Sequence, residues 1–103
     1  KRKVGVVLSG CGFLDGSEIQ ESVLTLLALD ELGAEAVCMA PRGPQHHVVD
    51  HERGEPVAAE RRDVLREAAR IARGRIRDLA TVTAAELDAV VLPGGFGDRK
   101  SVV

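Results

Sequence analysis

Three short apolar runs, at residues 4–9 ("VGVVLS"), 34–40 ("AEAVCMA") and 89–92 ("AVVL"), constrain this chain more than anything else in it. Each is apolar at nearly every position rather than at alternate ones, so a strand made from it must bury both of its faces. Each is also too short to be a buried helix. Residues 3–9, 34–40 and 89–92 therefore predict strands. The patterns between them are helical. Ser17 and Gln20 have capping-box spacing, which predicts a helix from near Ser17 to Gly33. A second helix over residues 60–73 places Val64, Leu65, Ala68, Ile71 and Ala72 on one face, turns Arg62, Arg66, Glu67, Arg70 and Arg73 away, and stops at Gly74.

Smaller features fill the gaps. Residues 46–50 read as a short strand in a hairpin-like excursion turning at Arg53-Gly54. Residues 75–79 read as another short strand, and Thr83 with Glu86 as the capping box of a one- or two-turn helix. Strands that alternate with helices make a parallel sheet covered on two sides, an α/β fold. The helix at 17–33 stands out: Ile19, Val23, Leu24, Leu26, Leu27, Leu29 and Leu32 cover most of its circumference. Such a helix is buried against two things at once. One is its own sheet, and the other is a partner this chain does not contain.

Composition removes several classes of function. A length of 103 residues suits one small domain, and 14 basic against 16 acidic residues leave no field to attract nucleic acid or a membrane surface. With two Phe and no Trp or Tyr there is no platform for stacking bases. No apolar run approaches the roughly 20 residues that span a bilayer. Cys11 and Cys38 are too few and too separated for a disulfide framework or a zinc site, which leads to the expectation of a reducing, cytoplasmic home.

Four motifs are candidates for chemistry. Gly10-Cys11-Gly12-Phe13-Leu14-Asp15-Gly16 follows a strand and precedes a helix, but its spacing is one residue longer than the dinucleotide fingerprint. The second strand also ends in Cys38-Met39-Ala40-Pro41, without the acidic residue that holds a ribose, so a tight turn is the better reading. Glu21 heads the stripe Leu24, Ala28, Leu32, where a desolvated carboxylate would hold a proton near neutral pH and serve as a general acid or base. It equally suits the first turn of a helix, favoured by the dipole and pointing to water. His46, His47 and His51 contain an H-x₃-H pair, but their Val48-Val49 context favours a polar hairpin over a metal site. Cys11 has no histidine nearby in sequence to activate it, and Cys38 lies within an apolar run; both read as packing. Gly94-Gly95 ends a buried strand, where two glycines let backbone N–H groups approach a substrate oxygen.

Taken together, "VGVVLSGCGFLDGSEIQESVLTLLALDELGAEAVCMAP", "HVVDHERGE", "REAARIARGRIRDLA" and "ELDAVVLPGGFG" resemble the amino-terminal half of the ElbB-type proteins. These are described as isoprenoid-biosynthesis or glyoxalase proteins, in the PfpI-like, class I glutamine amidotransferase-like superfamily. The resemblance runs from about Lys3 to Gly97. It implies a flavodoxin-like three-layer sandwich, truncated here, with a Cys nucleophile on a strained elbow. It also implies that Glu21 contacts that thiol as the catalytic acid–base group and that the Gly94 and Gly95 amides face the substrate oxygen. The implied activity is a glutathione-independent, glyoxalase-type lyase reaction turning small 2-oxoaldehydes into 2-hydroxy acids, with no cofactor and no metal, in a protein that is a homodimer when intact.

The chain departs from this pattern in lacking the half that holds the elbow Cys, and Cys11 is in the wrong loop to replace it. A non-catalytic stress or isoprenoid-pathway binding protein of the same fold is the alternative. A glutaminase-type amidotransferase would further need a His and an acidic partner after the missing Cys. Residues 1–97 thus read as the amino-terminal part of one domain. Residues 98–103 read as a non-native tail, because Asp98-Arg99-Lys100-Ser101-Val102-Val103 can be encoded by GAT CGG AAG AGC GTC GTG, a common short-read sequencing adapter.

Overall fold

The structure, a computed structural model, describes residues 1–97; the expectation of a non-native tail falls outside the described residues. The first strand, β1 (Lys3–Val7), leads through a loop to helix α1 (Ile19–Glu31) and then to β2 (Glu35–Ala40). A hairpin of β3 (Val49–Asp50) and β4 (Glu55–Pro56) follows, then helix α2 (Val64–Ala72), β5 (Arg77–Asp78), two 3-10 turns at Leu79–Thr81 and Ala84–Glu86, and β6 (Ala89–Val91). Four strands form one sheet in the order β5-β2-β1-β6, every pair parallel. The α/β class and the parallel sheet are as the apolar runs predict.

Chain direction across this sheet reverses at β1. β2 and then β5 are laid down on one side of it, and β6 is added on the other. Because both crossovers step the same way, α1 and α2 lie on one face of the sheet. Val6 and Leu8 from β1 and its exit, Cys38 and Ala40 from β2, and Leu65, Ala68 and Ala72 from α2 form the core there, with Leu26 and Leu29 of α1 packed against it. On the other face Gly5 lies under Leu87, close enough that a Cβ at Gly5 would come within 2.8 Å of Leu87 Cδ1 and of Met39 Cε. The described residues therefore build the sheet and one of its helical layers.

Helix boundaries differ from the sequence reading in instructive ways. Glu18, not Ser17, caps α1, its Oε1 accepting the Glu21 amide at 2.8 Å. Ser17 is drawn instead to the end of β1, where its hydroxyl accepts the Ser9 amide at 2.9 Å and its own amide donates to Ser9 O at 2.8 Å. Asp63 caps α2, so the helix begins at Val64, four residues later than the expected start at residue 60. That helix stops at Ala72, so Arg73 rather than Gly74 opens the left-handed turn, at φ 57°. The outer side of α1 is bare: Leu24 is 61% and Leu32 81% exposed, and Ile19, Val23 and Leu27 are exposed as well. Of the two burying surfaces expected for this helix, the sheet is present and the other is not among the described residues. No described helix is long and apolar enough to cross a membrane.

Two stability measurements follow. Left-handed backbone costs an L-residue roughly 1–2 kcal/mol, partly offset by the extra unfolded-state freedom of glycine. Arg73→Gly is therefore expected to stabilise by up to about 1 kcal/mol, raising Tm by a few degrees. The second concerns Glu86, whose carboxyl is pulled from 4.5 to about 2, chiefly by its hydrogen bond from Arg77 and then by the Thr83 amide. A depressed carboxyl stabilises above its unfolded pKa and loses that contribution as pH falls through the folded value. The melting temperature of the parent is thus expected to fall more steeply than that of Glu86→Gln as pH drops from 4.5 toward 2.

Candidate functional site

Open parallel sheets place ligands outside the carboxyl ends of their strands, at the point where strand order reverses. Here that point lies between β1 and β6, and the chain draws its polar loops together there. Ser9 leaves β1 buried, and its hydroxyl donates to Gly97 O at 2.9 Å. The loop after β6 is stitched to the loop after β1 by Glu18 N to Gly94 O at 2.7 Å, Phe96 N to Phe13 O at 2.9 Å and Gly97 N to Gly16 O at 3.3 Å. Phe13 and Phe96 face each other with ring centroids 5.9 Å apart.

Glycine is required at these contacts. A Cβ on Gly95, where φ is 115°, would meet Gly16 O and approach Glu18 N to 2.5 Å, and one on Gly97 would strike Ser9 O. Gly94 is different in kind, since a Cβ there would fall on Glu21 Oε1. The structure thus brings Glu21 and Gly94, 73 positions apart in the chain, into direct contact. Gly95 adjoins them. Among the described residues neither the Gly94 nor the Gly95 N–H donates to a protein acceptor.

Glu21 itself sits in the first turn of α1 and is exposed. The stripe it heads, Leu24-Ala28-Leu32, faces outward, so the desolvation expected from the helical wheel is absent among the described residues. The dinucleotide alternative loses its physical basis. Anion binding at a helix N-terminus needs unused N–H groups. In α1 the amides of Glu18, Ile19 and Glu21 are spent on Gly94 O, Gly12 O and Glu18 Oε1, and two carboxylates stand beside them.

A second cluster was not legible in the sequence. The β3–β4 hairpin forms where it was expected, turning at Gly54 with φ 72°, but its first strand is only Val49–Asp50 rather than residues 46–50, and it also carries His51 back to the loop after β1. His51 Nε2 accepts the Leu14 amide at 3.2 Å and lies 3.4 Å from Asp15 Oδ1, while Nδ1 is 3.0 Å from Val49 O. Cys11, Asp15 and His51 line one cavity of about 440 Å³. Cys11 is half-buried there and so is not the plain packing residue expected from sequence; burial pushes its thiol pKa up, outweighing the nearby Arg70. Cys38 is buried in the core, as expected, and burial raises its pKa too. His46 and His47 stack edge-on at 4.3 Å apart, and no three His, Cys, Asp or Glu side chains converge as metal ligands among the described residues.

The two glycines can be told apart by substitution. Gly94→Ala displaces only the flexible end of Glu21, and its stability should stay within about 1 kcal/mol of the parent. Gly95→Ala sets a Cβ against backbone at a positive φ and should cost more than about 2 kcal/mol. Thermal melts of both variants check the contrast.

No family model matches the chain. It is 52% identical over 100 residues to the human glutamine amidotransferase-like class 1 domain-containing protein 3, mitochondrial, an alignment covering 97% of this chain and 37% of that protein. It is 51% identical over 102 residues to the rat ES1 protein homolog, mitochondrial, and 37% identical over 103 residues to the zebrafish ES1 protein, mitochondrial, covering 99% and 96% of this chain and 38% of each relative. The crystal structure of an isoprenoid biosynthesis protein with amidotransferase-like domain from Ehrlichia chaffeensis superposes with a TM-score of 0.93 at 45% identity, over 97% of this chain and 46% of that one. The flavodoxin-like fold expected from the resemblance is confirmed by that match, and the chain spans less than half the length of each of these proteins. Their names correct one expectation. The human, rat and zebrafish relatives are each named as mitochondrial, which points away from the cytoplasm. Unpaired cysteines indicate a reducing compartment but do not separate cytosol from an organelle interior.

Proposed function

This chain belongs, over the stretch it spans, to the glutamine amidotransferase-like class 1 proteins, and from that premise we propose that it carries the acid–base carboxylate and the oxygen-binding loop of a thiol-dependent glyoxalase-type lyase. The observation that supports this reading is the contact of Glu21 Oε1 with Gly94 at the switch point between β1 and β6. A proton-transferring carboxylate and two backbone N–H groups that are unspent among the described residues then flank one spot at the carboxyl end of the sheet.

The substrate is a small 2-oxoaldehyde. A cysteine thiol, contributed by the intact protein from outside this chain, adds to the aldehyde carbon and gives a hemithioacetal. Glu21 removes the proton from that carbon and delivers it to the neighbouring carbonyl carbon, through an enediol, leaving a 2-hydroxy thioester. Gly94 and Gly95 donate to the oxygen that gains charge on the way. Water then releases the 2-hydroxy acid and returns the thiol, so the sequence closes without an oxidant, a reductant or a cofactor. In the same proposal the intact enzyme is a homodimer, the second copy covering the apolar outer side of α1, where Val23, Leu24, Leu27 and Leu32 are exposed.

General acid–base catalysis contributes about 10²–10⁴ in rate. In the full-length protein, Glu21→Gln is therefore expected to lower kcat for methylglyoxal by about 10²–10⁴-fold. Tm should be unchanged, because Glu21 is exposed. An unaltered kcat would remove Glu21 from the mechanism. Absence of turnover in the unmodified full-length protein, with aldehyde still bound, would replace the enzyme with a binding protein of the same fold.

A further inference from the structure

Glu21 reaches Gly94 without a hydrogen bond of its own carboxylate to hold it there. Among the described residues no donor bonds to that carboxylate. The bonds that fix Glu21 belong to its backbone: the amide donates to Glu18 Oε1 at 2.8 Å, and the carbonyl accepts Thr25 Oγ1 at 2.7 Å. Yet the carboxyl group lies directly over the glycine. A Cβ on Gly94 would meet Oε1, and would come within 3.0 Å of Cδ and 3.1 Å of Oε2. An exposed side chain with several rotamers keeps such a place only if its own backbone is fixed relative to the glycine.

Glu18 fixes it. Its amide donates to Gly94 O at 2.7 Å, its carbonyl accepts the Ser22 amide at 2.9 Å, and its side-chain Oε1 accepts the Glu21 amide. A parallel bridge also pairs it with Gly12, through Gly12 N to Ser17 O at 3.0 Å and Ile19 N to Gly12 O at 3.2 Å. The loop after β1, the loop after β6 and the first turn of α1 therefore meet on this one half-buried residue. Glu is an unusual residue here, because Ser, Thr, Asp and Asn are the preferred caps. The neighbouring Ser17, better suited by type, is spent on Ser9. The longer side chain of Glu18 closes the helix end while its amide stays pinned to the glycine loop. That bond to Glu21 needs an acceptor oxygen and not a charge.

We propose that Glu18 is the positioning residue of this site: it sets Glu21 against Gly94 by bonding to the amide of the one and the carbonyl of the other. It touches neither the aldehyde nor the thiol, and it acts through Glu21. The role presupposes that Glu21 moves the proton, while the geometry behind it can be read without turnover.

The test uses two variants of the full-length protein: Glu18→Ala, which removes the acceptor, and Glu18→Gln, which keeps the acceptor without the charge. A misplacement of about 1 Å can cost about 10²-fold in rate, so Glu18→Ala is expected to lower kcat for methylglyoxal by about 10- to 100-fold. KM should stay within about twofold, with all rates measured well below Tm. Glu18→Gln is expected to return kcat to the parental range. Because Glu18 acts through Glu21, adding Glu18→Ala to Glu21→Gln should cost less than about twofold more. A plain cap would lower Tm in the alanine variant and leave kcat alone, and that result overturns the proposal. A glutamine variant as slow as the alanine one overturns it too, since Glu18 would then be transferring protons itself. If Glu21→Gln leaves kcat unaltered, the acid–base role of Glu21 is lost, and crystal structures of the two full-length variants decide the case of Glu18 alone. The Glu21 carboxylate is expected over Gly94 in the glutamine variant and displaced in the alanine variant. The parental placement in both structures overturns the positioning role.

Discussion

Everything of functional interest in this molecule depends on two loops being able to touch backbone to backbone at the carboxyl end of the sheet. The contact of Gly95 and Gly97 with Gly16 and Ser9 tolerates no Cβ. Because the side chains are absent, Glu18 can donate to Gly94 O at 2.7 Å and Ser9 to Gly97 O at 2.9 Å, fixing α1 against the end of β6. Without that seam the carboxylate of Glu21 would have no defined neighbour. Its position over Gly94 is set by main chain on both sides, which is the kind of rigidity a proton-transfer site needs.

Long-range order in the sheet was readable from the chain because burial of both faces leaves a compositional mark. Runs such as Ala89–Val91 admit little else, and the crossovers that join them are nearly always of one hand. Glycines at a strand exit were equally legible, since Gly94-Gly95 announces a close approach before one knows what approaches. The cap of α1 was not. Local preference selects Ser17, and what moves the cap to Glu18 is the bonding of Ser17 to Ser9, a tertiary hydrogen bond that no local pattern contains.

The same limit hid the second cluster. Cys11 and His51 are 40 positions apart, and nothing in either neighbourhood refers to the other. One signal was present: Gly12 stands where a Cβ would come within 3.4 Å of His51 Nε2 and would collide with Asp15, so the third residue of "GCG" is small for the sake of the hairpin. The wheel of α1 misled in a different way. It identified an excess of apolar surface correctly but could not say which side the sheet would take. The side carrying Leu24 and Leu32 turned out to be the outer one.

The hairpin that delivers His51 has only two residue pairs, Val49 with Pro56 and Asp50 with Glu55. A ribbon that short is not stable by itself in water. What holds it near the sheet is a small set of bonds to the loop after β1: the Val49 amide to Asp15 Oδ2, the Leu14 amide to His51 Nε2 and Gln45 Nε2 to Asp15 O. This arm therefore has its own melting free energy, smaller than that of the sheet, and amide exchange there would be faster than in β1 or β2.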